Sequence, residues 1–449
     1  MIARNKLPVL VVGGLLLLMV LAGVLWWKTP RVTTPIKRGF PNTLAQLNAW
    51  YAEPPEGQNA ATFFVQGFDA MQITDADQAD ANLPNIGKGT WPPLGRSLPA
   101  NVKTATAQFL QRNQAAWEFF KKAMGYDECR YPIDFNVNFG TPLPHLANLK
   151  KAAQMSDLKA IMLADSRQSG EATDALLISH AAAQSLQKEP LLISQLVRVA
   201  CFAMEEAALE RMLNSIAIST ADLNRLSIAI ASAEAEESAG AGFTRGWAGE
   251  RAGILTVLSL PRPQLERYLK QFGAIDPGPA AAQAQSVKKM TENVGPQRAF
   301  AEETFNHLIV MRQQPFPDRL KSREYFTERQ VQAKAKGFYI CAADWPGLEK
   351  IILREARGLA ETRLMQAAIA LEQNRSANGG KYTDSLASLS PEFLPVVPSD
   401  PFDGQPLRYR KTAHGYLLYS IGQDLKDDGG KRESDGKGDL VFEIVNASH

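Results

Sequence analysis

Five aspartates and five glycines fall between Ile421 and Asp439, with β-rich runs on either side. No other stretch concentrates residue types with so specific a chemistry. Asp424, Asp427, Asp428, Asp435 and Asp439 are the candidate metal ligands. Carboxylates crowded on a glycine-shaped loop suit Ca²⁺, a hard cation that takes about six to eight oxygen ligands. Lys426, Lys431, Arg432 and Lys437 offset much of the charge and, with Glu433 counted, leave the loop at −2. The spacing is not that of an EF-hand, because Asp435 stands where its twelfth-position glutamate would be. A solvated hairpin loop is the alternative to a calcium loop.

Two weaker constellations lie upstream. Cys129-Arg130-Tyr131-Pro132 with Asp134 and His145 could form a polar site, or His145 could be a structural hydrogen-bonder at a helix start. Arg245, Glu250 and Arg251 fall near one another on a helical segment and read as an Arg–Glu pair orienting helices, or as an anion or ligand site. The chain has no Gly-x-Ser-x-Gly elbow, His-Glu-x-x-His pair, Walker A loop or Gly-x-Gly-x-x-Gly turn. The five histidines are scattered, and Cys129, Cys201 and Cys341 have no metal-ligand spacing. No cofactor other than Ca²⁺ and no small-molecule substrate is indicated.

The elements that must position these residues are mainly helical. The chain is 449 residues long, 45% apolar and 21% charged, with a formal charge of +2. That is ordinary globular composition, and it offers no basic field for nucleic acid. Leu7 to Trp27 is uncharged for 21 residues, long enough to span a ~30 Å hydrocarbon core. Trp26, Trp27 and Lys28 close it as an interfacial belt would. The expected organisation is a single-pass transmembrane anchor (1–28), a proline-rich basic linker (29–41), an irregular domain of antiparallel helical hairpins (42–275), a helical connector (276–345) and a small α+β module (346–449). Within it the periodicity predicts helices over 102–124, 145–164 and 172–186, one opened by Pro190, and one capped by Thr220. Further helices are expected over 296–312, 315–336 and 346–378. Asp134 to Phe139 alternates and could be a short strand. A three-stranded antiparallel sheet is expected from strands near 407–411, 416–420 and 440–444.

The C-terminal residues carry a resemblance. Gly380-Lys-Tyr-Thr, Phe393-Leu-Pro-Val-Val-Pro-Ser-Asp400-Pro-Phe-Asp-Gly-Gln-Pro-Leu-Arg-Tyr409 and Tyr419-Ser-Ile-Gly-Gln-Asp424 follow a long helix and precede the acidic loop. In this order, about the last 90 residues resemble the soluble domain of the major pseudopilin of type II secretion systems. The resemblance implies a calcium loop, with Asp424 matching the first ligand and Asp435 or Asp439 the later ones. Lys431-Arg432-Glu433 alters the family's spacing, and the membrane helix lacks the family's leader glycine and early glutamate. Glu53-Pro-Pro-Glu, Cys129-Arg-Tyr-Pro, Leu143-Pro-His-Leu and the Glu189 to Val197 segment resemble a set of uncharacterised single-pass bacterial membrane proteins. The functional expectation is a non-enzymatic scaffold or interaction module in the bacterial inner membrane, with protein partners of the cell envelope. The alternative is a membrane-tethered hydrolase with a site in the helical domain. Counting Lys and Arg at the membrane flanks slightly favours a cytoplasmic body; the resemblance implies a periplasmic one.

Overall fold

The computed structural model describes residues 39–135, 142–271, 279–345 and 347–445. The apolar run from Leu7 to Trp27 lies outside them, as does most of the linker. Among the described residues no helix is long and apolar enough to cross a membrane. The described residues are mainly helical with one small antiparallel sheet, and those from Pro41 onward pack as one compact unit.

Three short helices come first: α1 (Leu44–Trp50), α2 (Ala61–Ala70) and α3 (Asp75–Ala79). Thr74 caps α3 reciprocally with Asp77, satisfying backbone donors that the first turn leaves unpaired. The continuous helix expected over 102–124 is two: α4 (Ala100–Arg112) and α5 (Gln114–Ala123). Asn113 makes the break. Its buried amide donates to the carbonyls of Phe109 and Gln72, and its oxygen accepts from Gln72 N–H at 2.8 Å. A side chain so committed to backbone competes with helix continuation.

Long antiparallel helices then stack: α6 (Pro144–Asp165), α7 (Ser169–Gln184), α8 (Leu192–Leu213), α9 (Thr220–Ala239) and α10 (Ala241–Val257). Two expected starts shift. Pro190 precedes α8 rather than opening it, and Ser219, not Thr220, caps α9 by accepting from Asp222 N–H at 3.1 Å. Gly240, left-handed at φ 63°, ends α9 and begins α10; an L side chain adopts that conformation only with strain. Gly242, Gly246 and Gly249 face the start of α8, and a Cβ at Gly249 would run into the Pro190 carbonyl. Asp134 and Phe135 are not in a strand, and the rest of that alternating segment lies outside the described residues.

The third region holds α11 (Arg262–Gln271), α12 (Ala280–Thr291), α13 (Val294–Met311), a 3₁₀ turn (Asp318–Lys321), α14 (Ser322–Ala335) and α15 (Tyr339–Asp344). An aromatic cluster anchors it: Trp345 stacks on Phe300 at 5.8 Å and meets Phe326 at 5.4 Å. The longest helix, α16 (Glu349–Ala377), follows and is buried on most of its faces between α8, α9, α14 and the sheet. The sheet order is β1 (Arg408–Lys411), β2 (Tyr416–Ser420), β3 (Leu440–Ile444), all antiparallel, with Ser420 opposite Leu440 and Tyr416 opposite Ile444. One hydrophobic core runs from Leu44 through α16 to Ile444.

Candidate functional site

The acidic loop joins the paired ends of β2 and β3, and most of its described carboxylate contacts go to its own backbone. Asp439, buried at the entry to β3, accepts from Gly430 N–H at 2.7 Å and Asp428 N–H at 3.3 Å. Asp424 accepts from Gly438 and Lys426 N–H, both at 3.2 Å. Asp427 accepts from Gly429 N–H at 3.0 Å and from the Tyr419 hydroxyl at 3.2 Å. Asp435 sits at the tip of a tight Ser434–Lys437 turn with φ 53°. Asp428 and Asp435 are exposed. Removal from water pushes the Asp439 carboxyl above its ordinary range, and the charges of Asp427 and Asp428 add to the push. Among the described residues no three His, Cys, Asp or Glu side chains converge as a metal-ligand set.

The segments that carry the resemblance meet in space. Asp400, fully buried, accepts from the Ser420 hydroxyl and Ile421 N–H, each at 2.9 Å, and from Arg408 at 2.8 Å. Lys431-Arg432-Glu433, which departs from the family spacing, straps the loop to the helices. Arg432 pairs with Glu210 of α8 at 2.6 Å, and Glu433 pairs with Arg357 of α16 at 2.5 Å. Glu210 also accepts from Glu443 N–H at 2.7 Å, and Asn214 exchanges hydrogen bonds with Glu443 and Val445. Side chains of α8 thus cover the outer edge of β3, where unpaired backbone would otherwise be exposed. Close to this strap lie two carboxyls that interact with each other, Glu206 and Glu361, each with one buried oxygen lacking a hydrogen bond among the described residues. Burial pushes both upward, Glu361 to about 7.

In the helical body, Arg130 turns inward to the Tyr51 carbonyl and to Asn48 Oδ1 at 3.0 Å. Tyr131 stacks on His145 at 4.4 Å, and His145 Nε2 lies 3.1 Å from both oxygens of buried Glu189. Tyr131 and His145 do come together, with a third partner that the sequence reading did not name. Arg251 pairs with Glu302 of α13 at 3.0 Å, so Arg251 does link two helices, through a carboxylate the sequence reading did not name. Arg245 donates to the Gln187 carbonyl at 3.1 Å.

Two cavities open along α7. The first, about 500 Å³, has Trp117 and Ile178 in its wall, with Lys159 over the Trp117 ring at 3.9 Å. The second, about 400 Å³, lies between α2, α7, α9 and the 124–129 loop. Neither is lined by Arg130, His145, Arg245 or Glu250. The second holds His180 and Gln184, one turn apart on α7. His180 Nδ1 lies 3.1 Å from both oxygens of fully buried Glu205 on α8. Gln184 Oε1 accepts from buried Arg198 at 2.7 and 3.2 Å. Cys129 and Ser185 also line it. Burial pushes the Cys129 thiol up to about 12. Next to Glu205, Asp157 is fully buried and held far above the usual carboxylate range, by burial first and by the Glu205 charge as well; the Ser179 hydroxyl beside it offsets this only in part. The sequence reading missed His180, Gln184, Glu205 and Asp157. Only the one-turn spacing of His180 and Gln184 was visible in the sequence.

Comparison of the chain with protein families, curated proteins and solved structures gives no match.

Proposed function

We propose that the chain is a membrane-anchored envelope protein, held by the apolar segment 7–27, whose body lies in the periplasm and acts as a scaffold within a secretion or pilus-like assembly. The observation that carries this is the C-terminal arrangement. A long helix, a proline-rich turn segment and a three-stranded antiparallel sheet with an acidic loop between β2 and β3 follow one another, as in the type II pseudopilin domain that the sequence resembles. Asp400 ties the two most specific segments of that resemblance together through Ser420 and Ile421. The long helix argues for a scaffold rather than a filament subunit. A pilus subunit packs its long helix against copies of itself, and most faces of α16 are already covered by this chain. Calcium belongs to the same reading. The repulsion of Asp427 and Asp428 on Asp439 is what a bound cation would relieve.

A fusion of alkaline phosphatase after His449 tests the placement. An active fusion is expected. An inactive one, with a fluorescent reporter folding at the same position in the cytoplasm, would overturn the periplasmic assignment.

A further inference from the structure

We propose that the cavity between α2, α7 and α9 is a hydrolytic site for small uncharged acyl esters, with His180 as general base and Gln184 as the donor to the carbonyl oxygen. This goes beyond the scaffold reading and does not depend on it.

The roles follow from which atoms are already committed. Glu205 is fully buried and offers only carboxylate oxygens, both 3.1 Å from His180 Nδ1. The proton therefore sits on Nδ1 and the lone pair on Nε2, the arrangement a carboxylate–histidine base requires. His180 lines the cavity. Arg198 can only donate, so the Gln184 atom it contacts at 2.7 Å is the oxygen. The Gln184 amide nitrogen makes no hydrogen bond among the described residues, and Gln184 lines the same cavity. A proton acceptor and a fixed neutral N–H donor thus stand one helical turn apart over a space of about 400 Å³, within the range of small-molecule sites.

The nucleophile is water. The Cys129 thiol, pushed up to about 12 by burial, stays protonated at neutral pH and is a weak attacker. The Ser185 hydroxyl donates to the Ala182 carbonyl at 2.7 Å and pairs with the Tyr131 hydroxyl at 2.9 Å, leaving it no proton to pass to His180. In the reaction His180 Nε2 takes a proton from water as the water oxygen bonds to the acyl carbon. The carbonyl electron pair moves onto its oxygen, which the Gln184 N–H holds. Collapse breaks the bond to the leaving oxygen, and that oxygen takes the proton from Nε2. Ester and water become acid and alcohol.

Charge selects an uncharged substrate. Lys188 is already held by both oxygens of Glu128, at 2.5 and 2.6 Å, and Asp127 adds a negative charge to the wall. Among the described residues of the cavity wall, no Lys or Arg is left without a carboxylate to clamp a phosphate. The Arg198 charge is likewise engaged, by Glu237 at 2.5 Å.

The test uses the full chain in detergent with p-nitrophenyl acetate and p-nitrophenyl butyrate. Saturable release of nitrophenol above buffer is expected, without a pre-steady-state burst. His180→Gln, whose amide can still donate to Glu205, lowers kcat about 100-fold or more. Gln184→Met lowers kcat by a factor of about 100 with KM little changed, since the donor acts on the developing oxyanion. Far-UV circular dichroism melts of both variants separate loss of chemistry from loss of fold. Three results would overturn the proposal: no turnover of either ester by the wild type; full activity in a folded His180→Gln; or a stoichiometric burst that disappears in Cys129→Ser, which would make the thiol the nucleophile.

Discussion

At the scale of single residues, environment separates carboxylates that the sequence makes look alike. Asp424 accepts from two backbone N–H groups at the mouth of the acidic loop. If the loop binds Ca²⁺ only when folded, saturation at a hundredfold excess over Kd adds about 2.7 kcal/mol. The full chain should then melt higher in calcium than in chelator, and Asp424→Ala should remove most of the difference. Identical melting curves in the two buffers would show a loop held only by its own N–H groups. Asp157 is the opposite case, buried without a hydrogen bond of good geometry. Its carboxyl titrates far above the ordinary value when folded, so the folded chain binds a proton that the unfolded chain has released. Stability from this group is therefore full below about pH 4 and is lost as pH rises toward the folded value. Asp157→Asn keeps the shape and removes the titration. Its melting temperature should exceed the wild type by more at pH 8 than at pH 5; an offset independent of pH would mean that Asp157 is ionised in the fold.

At the scale of elements, the close approach of α10 to the start of α8 rests on glycine. The abundance of alanine suggests close helix contacts, but the tightest one here depends on having no Cβ at all. At Gly249 an added methyl meets the rigid Pro190 backbone rather than a side chain that could swing away. Gly249→Ala should therefore destabilise by about 1–3 kcal/mol. Gly295, in the first turn of α13 with open space around it, should be neutral or gain up to about 1 kcal/mol on the same change. Urea unfolding of both variants checks the pair, and equal effects would count against the crossing as described.

At the scale of the whole molecule, charge as well as core binds the layers together. Glu355 of α16 is fully buried and accepts from Arg312, the residue that ends α13, at 2.5 Å and from Arg319 of the 3₁₀ turn at 2.8 Å. Arg319 reaches on to the Ser238 carbonyl at the end of α9, and Arg198 of α8 pairs with Glu237 beside it. Removing Glu355 alone leaves two buried guanidinium groups without their carboxylate, a cost of about 3–5 kcal/mol. Glu355→Ala should lower the urea midpoint accordingly. Double substitution of Glu355 and Arg312 by apolar residues should recover part of the loss. A Glu355→Ala chain as stable as the wild type would show that water relieves these charges.

The sequence by itself determined what is local. Apolar periodicity placed α6, α7, α13 and α16 nearly where they lie, and β-rich runs flanked by turn residues placed all three strands. The acidic loop was legible from composition, because glycine and aspartate write a loop into any window that contains them. What the sequence left open was decided by contacts between distant residues. Asn113 splits a helix because it holds Gln72, 41 residues away. Arg432 straps the loop because Glu210 waits 222 residues upstream. His180 becomes a candidate base only when the next helix brings Glu205 against its Nδ1. Periodicity tells a helix which face to bury, but not which neighbour will cover it. Side-chain commitments, and with them the chemistry left free in the α7 cavity, are fixed only once the layers have packed.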